Sequence, residues 1–162
     1  MIAVIQRARG ATVSVDSSIR GCISRGFLIL LGVHRNDTDA DALWIARRIA
    51  FLRIFADEAG KMNLSLQDFD WAKSTNPAAD GGVLLIPNFT LCAQAAQGNR
   101  PSFTEAMPPA RAKELWQQVA MHLSMHQIRC DMGVFGADMQ VELTNDGPVT
   151  ILLDSAERPD RE

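Results

Sequence analysis

The stretch GADMQVELTNDGPVTILLD, residues 136–154, decides the fold prediction for this chain. Residues 137–144 alternate apolar with polar side chains, which is the period of a half-buried strand. Residues 145–148 are Asn-Asp-Gly-Pro, four turn formers in succession. Residues 149–153 then resume as an apolar run, typical of a strand buried on both faces. The stretch therefore predicts two core strands separated by a turn, which holds the Gly147-Pro148 pair at a fixed point.

A rigid backbone feature between two core strands could present its carbonyl groups to a ligand without using side chains. The alternative is an ordinary hairpin in which Pro148 ends a ladder of hydrogen bonds. The local sequence leaves both interpretations of Gly147-Pro148 open.

The composition predicts a single globular domain, because 162 residues with 47% apolar and 22% charged residues suffice for a sizeable core. A net charge of −3 argues against a broad surface that follows nucleic-acid phosphates, but it permits binding of a short single-stranded end. Three cysteines without metal-ligand spacing are typical of a reducing compartment. The sequence has neither a targeting signal nor a membrane-spanning apolar segment, so we expect a cytoplasmic protein.

Hydrophobic periodicity predicts the remaining elements. The predicted strands are residues 2–6, 11–15, 19–23, 27–33, 83–86 and 128–131, with 27–33 at the centre of the sheet. Helices are predicted over about residues 38–52 and from Pro108 to about Leu123. Arg47 and Arg48 fall on the outer face of the first helix, where such charges are usually solvated. Residues 68–82 show neither period and predict a surface loop.

Familiar catalytic motifs are missing from the sequence. It contains no glycine-rich nucleotide loop, no P-loop lysine and no GxSxG elbow. His122 and His126 are four residues apart on a predicted helix, but two solvent-facing histidines are favoured over a metal site. Thr90 could be a nucleophile only with a base, and none is evident. An enzyme of this sequence would act mainly through backbone groups and the reactive atoms of its substrate.

Several ungapped blocks, in order over nearly the whole chain, resemble the D-aminoacyl-tRNA deacylases of the bacterial and eukaryotic type, the D-tyrosyl-tRNA(Tyr) deacylase family. The blocks are Ile5-Gln6-Arg7, Leu30-Leu31-Gly32-Val33, Arg53-Ile54-Phe55, Gly60-Lys61-Met62-Asn63-Leu64, Arg100-Pro101-Ser102-Phe103, residues 136–141 and Asn145-Asp146-Gly147-Pro148-Val149-Thr150. The resemblance implies an α/β (α+β) fold with a barrel-like mixed sheet and two main packed helices. It also implies one deacylase domain over residues 1–155, followed by a polar tail over 156–162.

The resemblance further implies a homodimer that hydrolyses the ester between a D-amino acid and the 3′ end of tRNA. No metal, other cofactor, membrane or DNA is implied. In the family, the pair matching Gly147-Pro148 is a cis peptide that reaches into the partner subunit's pocket. Its carbonyl groups would accept the amino group of a D-residue, and an L side chain would collide with them. Glycine has no side chain to collide, so glycyl-tRNA mischarged on tRNA(Ala) should also be cleaved.

The family signature Ser-Gln-Phe-Thr-Leu falls on Pro87-Asn88-Phe89-Thr90-Leu91. The resemblance implies that the backbone N–H groups of Phe89 and Thr90 polarise the ester carbonyl, with Thr90 as a positioning residue. Asn88 falls in the substrate pocket. The nucleophile would be water, helped by the 2′-hydroxyl of the terminal ribose. This chain departs from the signature at Pro87, which has no N–H, and at Asn88, whose side chain is shorter than glutamine.

Phe135, Gly136 and Met139 match family positions that line the pocket for the terminal adenosine. Two further functions stay open beside the deacylase. One is a related aminoacyl-tRNA hydrolase with relaxed chirality, which the Pro87-Asn88 departure permits. The other is a non-catalytic module that binds an RNA end or a protein.

Overall fold

The computed structural model of the protein describes residues 1–69, 81–96 and 98–159. Two α-helices and eight strands are found in these ranges. In chain order they are β1 (Ile2–Val15), β2 (Ser18–Ile23), β3 (Gly26–Gly32), α1 (Asp39–Phe51), β4 (Phe55–Ala56), β5 (Met62–Leu64), β6 (Gly82–Pro87), α2 (Pro109–Met125), β7 (Cys130–Met132) and β8 (Gln140–Asp154). Short 3₁₀ turns occupy Leu66–Asp68, Phe89–Cys92 and Ser155–Glu157.

The main sheet has the strand order β2-β1-β3-β6-β7. Strands β2 and β3 pair with different halves of the long strand β1, and β8 pairs with β1 along most of its length. The pairs β3-β6 and β6-β7 are parallel, whereas β1 runs antiparallel to β2, β3 and β8. Strands β4 and β5 form a separate hairpin. The predicted barrel-like mixed sheet is thus confirmed, and so is the central position of the strand predicted over residues 27–33.

Strands β3 and β6 contribute side chains to two hydrophobic cores. Phe27 and Ile29 pack with the helices in the larger core, together with Leu85 of β6. Leu28 and Leu84 alternate with them and pack in a smaller core on the other side of the sheet. This burial on both faces explains why these strands are continuous apolar runs in the sequence.

The prediction of two strands separated by a turn at residues 145–148 was wrong. Strand β8 is a single 15-residue strand, and both of its halves pair with β1. Asn145 pairs with Ala8 and Thr150 with Gln6, so the residues between Asn145 and Thr150 form a bulge. The run after this bulge is not buried on both faces, since the Leu152 side chain is 66% exposed.

Strand β1 is likewise one element, whereas the sequence predicted separate strands over residues 2–6 and 11–15. Its register against β8 shifts between Ala8 and Ala11. Gly10 lies inside this irregularity with φ +86°, a conformation that glycine adopts readily. The glycine therefore bends the strand without ending it.

Both predicted helices are confirmed. The Asp41 carboxylate accepts a hydrogen bond from the Thr38 N–H at 2.8 Å and so caps α1. Pro108 and Pro109 begin α2, where a missing N–H costs nothing. Most of the predicted surface loop, residues 70–80, lies outside the described residues. In the part of the chain that is described, no helix is both long and apolar enough to cross a membrane.

Candidate active site

An apolar cavity of about 480 Å³ opens where the carboxyl ends of β3 and β6 meet the first turns of α2. Its lining residues are Leu31, Val33, Pro87, Asn88, Phe89, Phe103, Ala106, Met107, Pro108, Pro109, Ala112, Trp116, Phe135 and Gly136. Four residues predicted from the family resemblance are therefore brought together: Asn88, Phe89, Phe135 and Gly136. None of the described lining residues carries a charge.

The turn after β6 is fixed by hydrogen bonds and by a close approach to β3. The Asn88 N–H donates to the Leu31 carbonyl at 2.8 Å. A Cβ atom on Gly32 would lie 2.8 Å from the Leu91 Cβ and 3.0 Å from the Asn88 carbonyl oxygen. Only glycine fits there, so Gly32 lets the 3₁₀ turn Phe89–Cys92 lie directly against the sheet.

The backbone N–H groups of Phe89 and Thr90, both predicted to polarise an ester carbonyl, differ in whether they already donate a hydrogen bond. The Thr90 N–H donates to the side-chain oxygen of Asn88 at 3.2 Å, and the Thr90 hydroxyl donates to the same oxygen. Asn88 thus caps the turn, and the expectation that the Thr90 N–H is available does not hold in this conformation. The Phe89 N–H has no acceptor among the described residues, as is usual in the first turn of a helix.

Two phenylalanines stand at the mouth of the cavity. The Phe89 side chain is 58% exposed and that of Phe103 is 38% exposed. Their rings meet edge to face with centroids 5.1 Å apart. This pair gives the cavity an aromatic rim next to the Phe89 N–H.

The turn before β8 forms another part of the cavity wall. The Phe135 ring lies 5.9 Å from that of Trp116 of α2, measured between centroids. Gly136 has φ +78° and lies beside it on the surface. Met139 does not line the cavity. Its sulfur accepts the Val134 N–H at 3.3 Å, so Met139 supports this wall from behind.

The Gly147-Pro148 pair lies apart from the cavity of its own chain. The peptide bond between the two residues is cis, and both are exposed. The Asn145 side chain spans the bulge, because its oxygen accepts the Val149 N–H at 2.8 Å. From the other side, Arg7 donates to the Asp146 carbonyl at 2.9 Å and to the Ile54 carbonyl. The bulge is thus an exposed projection whose base is well braced.

Comparison with known proteins identifies the family. The model of the D-Tyr-tRNA(Tyr) deacylase family matches residues 4–154. The chain belongs to this family. Curated D-aminoacyl-tRNA deacylases resemble it over nearly their whole length: one from Anaeromyxobacter dehalogenans is 48% identical, with 96% of this chain and 97% of the relative covered. One from Neisseria meningitidis serogroup B is 50% identical, with coverages of 96% and 91%.

Two solved structures have the same fold. A protein described as c-Myc DNA Unwinding Element Binding Protein superposes with a TM-score of 0.83 at 35% identity, covering 95% of this chain and 98% of its own. A probable eukaryotic D-amino acid tRNA deacylase superposes with a TM-score of 0.74 at 13% identity, covering 94% and 98%. At that identity the second likeness supports the fold alone.

The described part of this family member offers no activated side-chain nucleophile at the cavity. The Thr90 hydroxyl donates to the amide oxygen of Asn88, which cannot act as a base at neutral pH. Burial raises the pKa of the nearby Cys92 thiol to about 11, so it stays protonated. His126 packs edge-on against Phe51 at the far end of the helices. No group of three or more metal-ligating side chains occurs among the described residues.

Sequence reasoning missed much of the cavity wall. Phe103 was noted only within a family block, and Trp116 only as part of the apolar stripe of α2. Both meet Phe89 or Phe135 across the fold, so no local pattern marks them. Arg7 was also missed as the brace of the bulge. Its only sequence signal is that it stands in the first family block, 139 residues before Asp146.

Proposed function

We propose that the protein hydrolyses the ester bond of D-aminoacyl-tRNA and so removes D-amino acids from tRNA before they enter translation. The observation that carries this proposal is the free Phe89 N–H at the rim of an apolar cavity, in a chain of the deacylase family. The cavity would hold the terminal adenosine and the amino acid. The Phe89 N–H would then donate to the oxyanion that forms on the ester carbonyl.

The chemistry requires no side-chain base. Water attacks the ester carbonyl carbon, assisted by the 2′-hydroxyl of the terminal ribose, and the bond to the 3′-oxygen breaks to give a free D-amino acid and tRNA. The Phe89 N–H stabilises the intermediate. Rotation of the Asn88 side chain would release the Thr90 N–H as a second donor. In this mechanism Thr90 helps to position the ester carbonyl through its backbone and does not attack it.

The described lining of the cavity offers no negatively charged partner for the substrate's amino group. A buried ammonium without a hydrogen-bond acceptor is strongly disfavoured. The exposed Gly147-Pro148 pair would supply acceptors from a second copy of the chain. We therefore propose a homodimer in which each bulge enters the partner's cavity, accepts the amino group and rejects an L side chain by collision.

Two consequences follow for the range of substrates. Glycine has no side chain to collide with the wall, so glycyl-tRNA mischarged on tRNA(Ala) is also a substrate. A cavity of about 480 Å³ suits one terminal nucleoside with its amino acid, which favours a tRNA end over duplex DNA. Phe135 and Gly136 would line the adenosine part of the cavity, with Met139 behind them.

Hydrolysis of matched D-, L- and glycyl-tRNA at low enzyme concentration tests this proposal, with release of free tRNA as the readout. We expect cleavage of the D- and glycyl forms, with the L form spared. Cleavage of all three would establish the hydrolase with relaxed chirality that the Pro87-Asn88 departure permits. Binding without cleavage of any form would establish the non-catalytic module.

A further inference from the structure

A second groove, of about 630 Å³, lies along the outer face of α1 near its C-terminal end. It is lined by Trp44, Arg47, Arg48, Phe51, Leu52 and Arg53, with Pro159 at its edge. Three guanidinium groups and two aromatic rings thus share one concave surface. We call this surface the arginine groove.

The arginine groove keeps most of its positive charge within the described chain. Arg53 acts on Asp68, whose pKa is lowered by hydrogen bonds from Ser65 and, less strongly, by the Arg53 charge. None of Arg47, Arg48 and Arg53 forms an ion pair with a described carboxylate. Arg48 lies over the Trp44 ring at 5.8 Å, and Arg53 donates to the Asn63 carbonyl at 2.7 Å. Both contacts orient a guanidinium group and leave its positive charge in place.

The acidic residues of α1 lie at its other end. Asp41 caps the helix, and Asp39 pairs with Arg111 at 3.0 Å. The chain has 19 acidic and 16 basic residues, so three unpaired arginines within seven positions are a local concentration of positive charge. Such a cluster beside the exposed Phe51 and the half-buried Trp44 is suited to nucleic-acid phosphates, which arginine binds through two parallel hydrogen bonds.

The position of the groove decides which part of an RNA it could reach. Helices α1 and α2 run side by side, since Asp39 meets Arg111 near their starts and Phe51 meets His126 at their ends. The cavity lies at the start of α2, level with Asp39, and Arg47 and Arg48 follow Asp39 by eight and nine residues, about 12–14 Å along the helix axis. The terminal nucleotide in the cavity cannot span that distance, whereas a stem that continues from it can.

Arg7 connects the groove to the other part of the proposed site. It donates to the Ile54 carbonyl, one residue after Arg53, and to the Asp146 carbonyl beside Gly147. The end of α1 and the bulge are therefore neighbours.

We propose that the arginine groove binds phosphates of the tRNA acceptor stem, away from the reacting ester. This inference rests on the proposed function, which supplies the polyanionic substrate. It gives Arg47 and Arg48 a role in substrate affinity and none in the chemical step.

The test compares two substrates in the full-length protein: a D-aminoacyl-tRNA, and the same D-amino acid esterified to adenosine. For the double variant R47Q/R48Q we expect KM on the tRNA to rise about ten-fold with kcat unchanged. Hydrolysis of the adenosine ester should stay within two-fold of wild type, because this substrate carries no phosphate. Equal losses on both substrates, or no loss on the tRNA, would overturn the proposal.

Binding of uncharged tRNA gives a readout that does not depend on catalysis. The slope of log Kd against log salt should fall by about two in R47Q/R48Q, about one for each lost phosphate contact. R47K/R48K should keep the slope, and Arg20→Gln on β2, which removes one exposed charge outside the groove, should leave it unchanged. A wild-type protein that binds tRNA with this salt dependence but hydrolyses neither ester would refute the proposed function and leave the groove standing. An unchanged slope in R47Q/R48Q would refute the groove.

Discussion

The cavity at the ends of β3 and β6 and the bulge of β8 differ in almost every physical respect. The cavity is recessed and apolar, and Phe89 supplies its free N–H. The bulge is exposed and polar, and it projects from the chain with its base held by Asn145 and Arg7. The cavity can hold a substrate but has few polar groups, whereas the bulge has exposed polar backbone groups but no cavity. Each has what the other lacks, which is the physical argument for a site shared between two copies of the chain.

The largest effect should come from removing the Phe89 N–H. Phe89 is the first residue of its 3₁₀ turn, where proline is well tolerated, so Phe89→Pro deletes the donor and keeps the turn. We expect kcat on D-aminoacyl-tRNA to fall about 10²–10³-fold, as for other single oxyanion donors. Steady-state kinetics would measure the fall.

Phe89→Leu is the matched control, because it removes the exposed ring and keeps the N–H. Its kcat should stay near that of wild type, although KM could rise. Equal losses of kcat in the two variants would assign the effect to the ring and would remove the Phe89 N–H from the mechanism.

The next largest effect on activity should come from Gly147→Ala, which distorts the bulge. Gly147 has φ +143°, and an added Cβ would lie 2.7 Å from Val149 Cγ2 and 2.8 Å from the Val149 nitrogen. The bulge must shift, and a displacement of about 1 Å can cost 100-fold in rate. We expect kcat/KM for D-aminoacyl-tRNA to fall about 100-fold. Steady-state kinetics on the D and L substrates would measure this fall and the ratio of kcat/KM between the two substrates.

Gly60→Ala controls for strain alone. Gly60 also has a positive φ, of +77°, but its added Cβ would meet no atom within 4 Å, in a turn that neither lines the cavity nor touches the bulge. This variant should lose some thermal stability and keep its activity. A Gly147→Ala protein with a wild-type rate and D/L ratio would contradict the role of the bulge.

The same two regions show how far the sequence could predict this molecule. The pattern of apolar residues was sufficient to predict β3, β6, α1 and α2, because the buried faces of each element determine where its apolar residues fall in the sequence. The bulge was mistaken for a hairpin turn because residues 145–148 are turn formers in either case. Whether the flanking strands pair with each other or with β1 depends on contacts some 140 residues away.

The candidate site could be located from the sequence only through the family blocks. Asn88, Phe89, Phe135 and Gly136 were found in this way, since no local pattern marks a cavity-lining residue. The capping of the turn by Asn88 was not foreseen, because the choice between a free and an occupied Thr90 N–H depends on one side-chain rotamer. Phe103 and Trp116 become part of the wall only when the fold brings distant segments together.

A smaller effect is expected from Arg7→Gln, which loosens the base of the bulge without entering it. The Arg7 side chain is 13% exposed, and its loss leaves the carbonyls of Asp146 and Ile54 without their donor. We expect the free energy of unfolding to fall by about 1–3 kcal/mol. The accompanying loss of kcat/KM should be about ten-fold. Denaturant unfolding and kinetics would measure the two quantities.

Arg9→Gln is the matched control for Arg7→Gln. Both arginines pair with the Asp146 carboxylate, Arg7 at 3.3 Å and Arg9 at 2.9 Å, but the Arg9 side chain is 76% exposed. Exposed ion pairs contribute little to stability, so this variant should resemble wild type in both measurements. Similar losses in the two variants would show that the Asp146 carboxylate, and not the braced carbonyls, holds the bulge.

The smallest effect should come from Thr90→Ala, which distinguishes backbone catalysis from nucleophilic catalysis. The Thr90 hydroxyl is exposed and donates to the Asn88 side-chain oxygen, so its removal weakens one cap and takes no reacting group away. We expect a change of kcat below about five-fold, equivalent to about 1 kcal/mol. Thr90→Ser keeps the hydroxyl and should match wild type. Abolished turnover in Thr90→Ala, with tRNA binding and thermal stability intact and activity restored in Thr90→Ser, would make Thr90 the nucleophile. The Phe89 N–H would then stabilise an intermediate bonded to the protein, and the bulge would select the substrate without bearing on how the ester is cleaved.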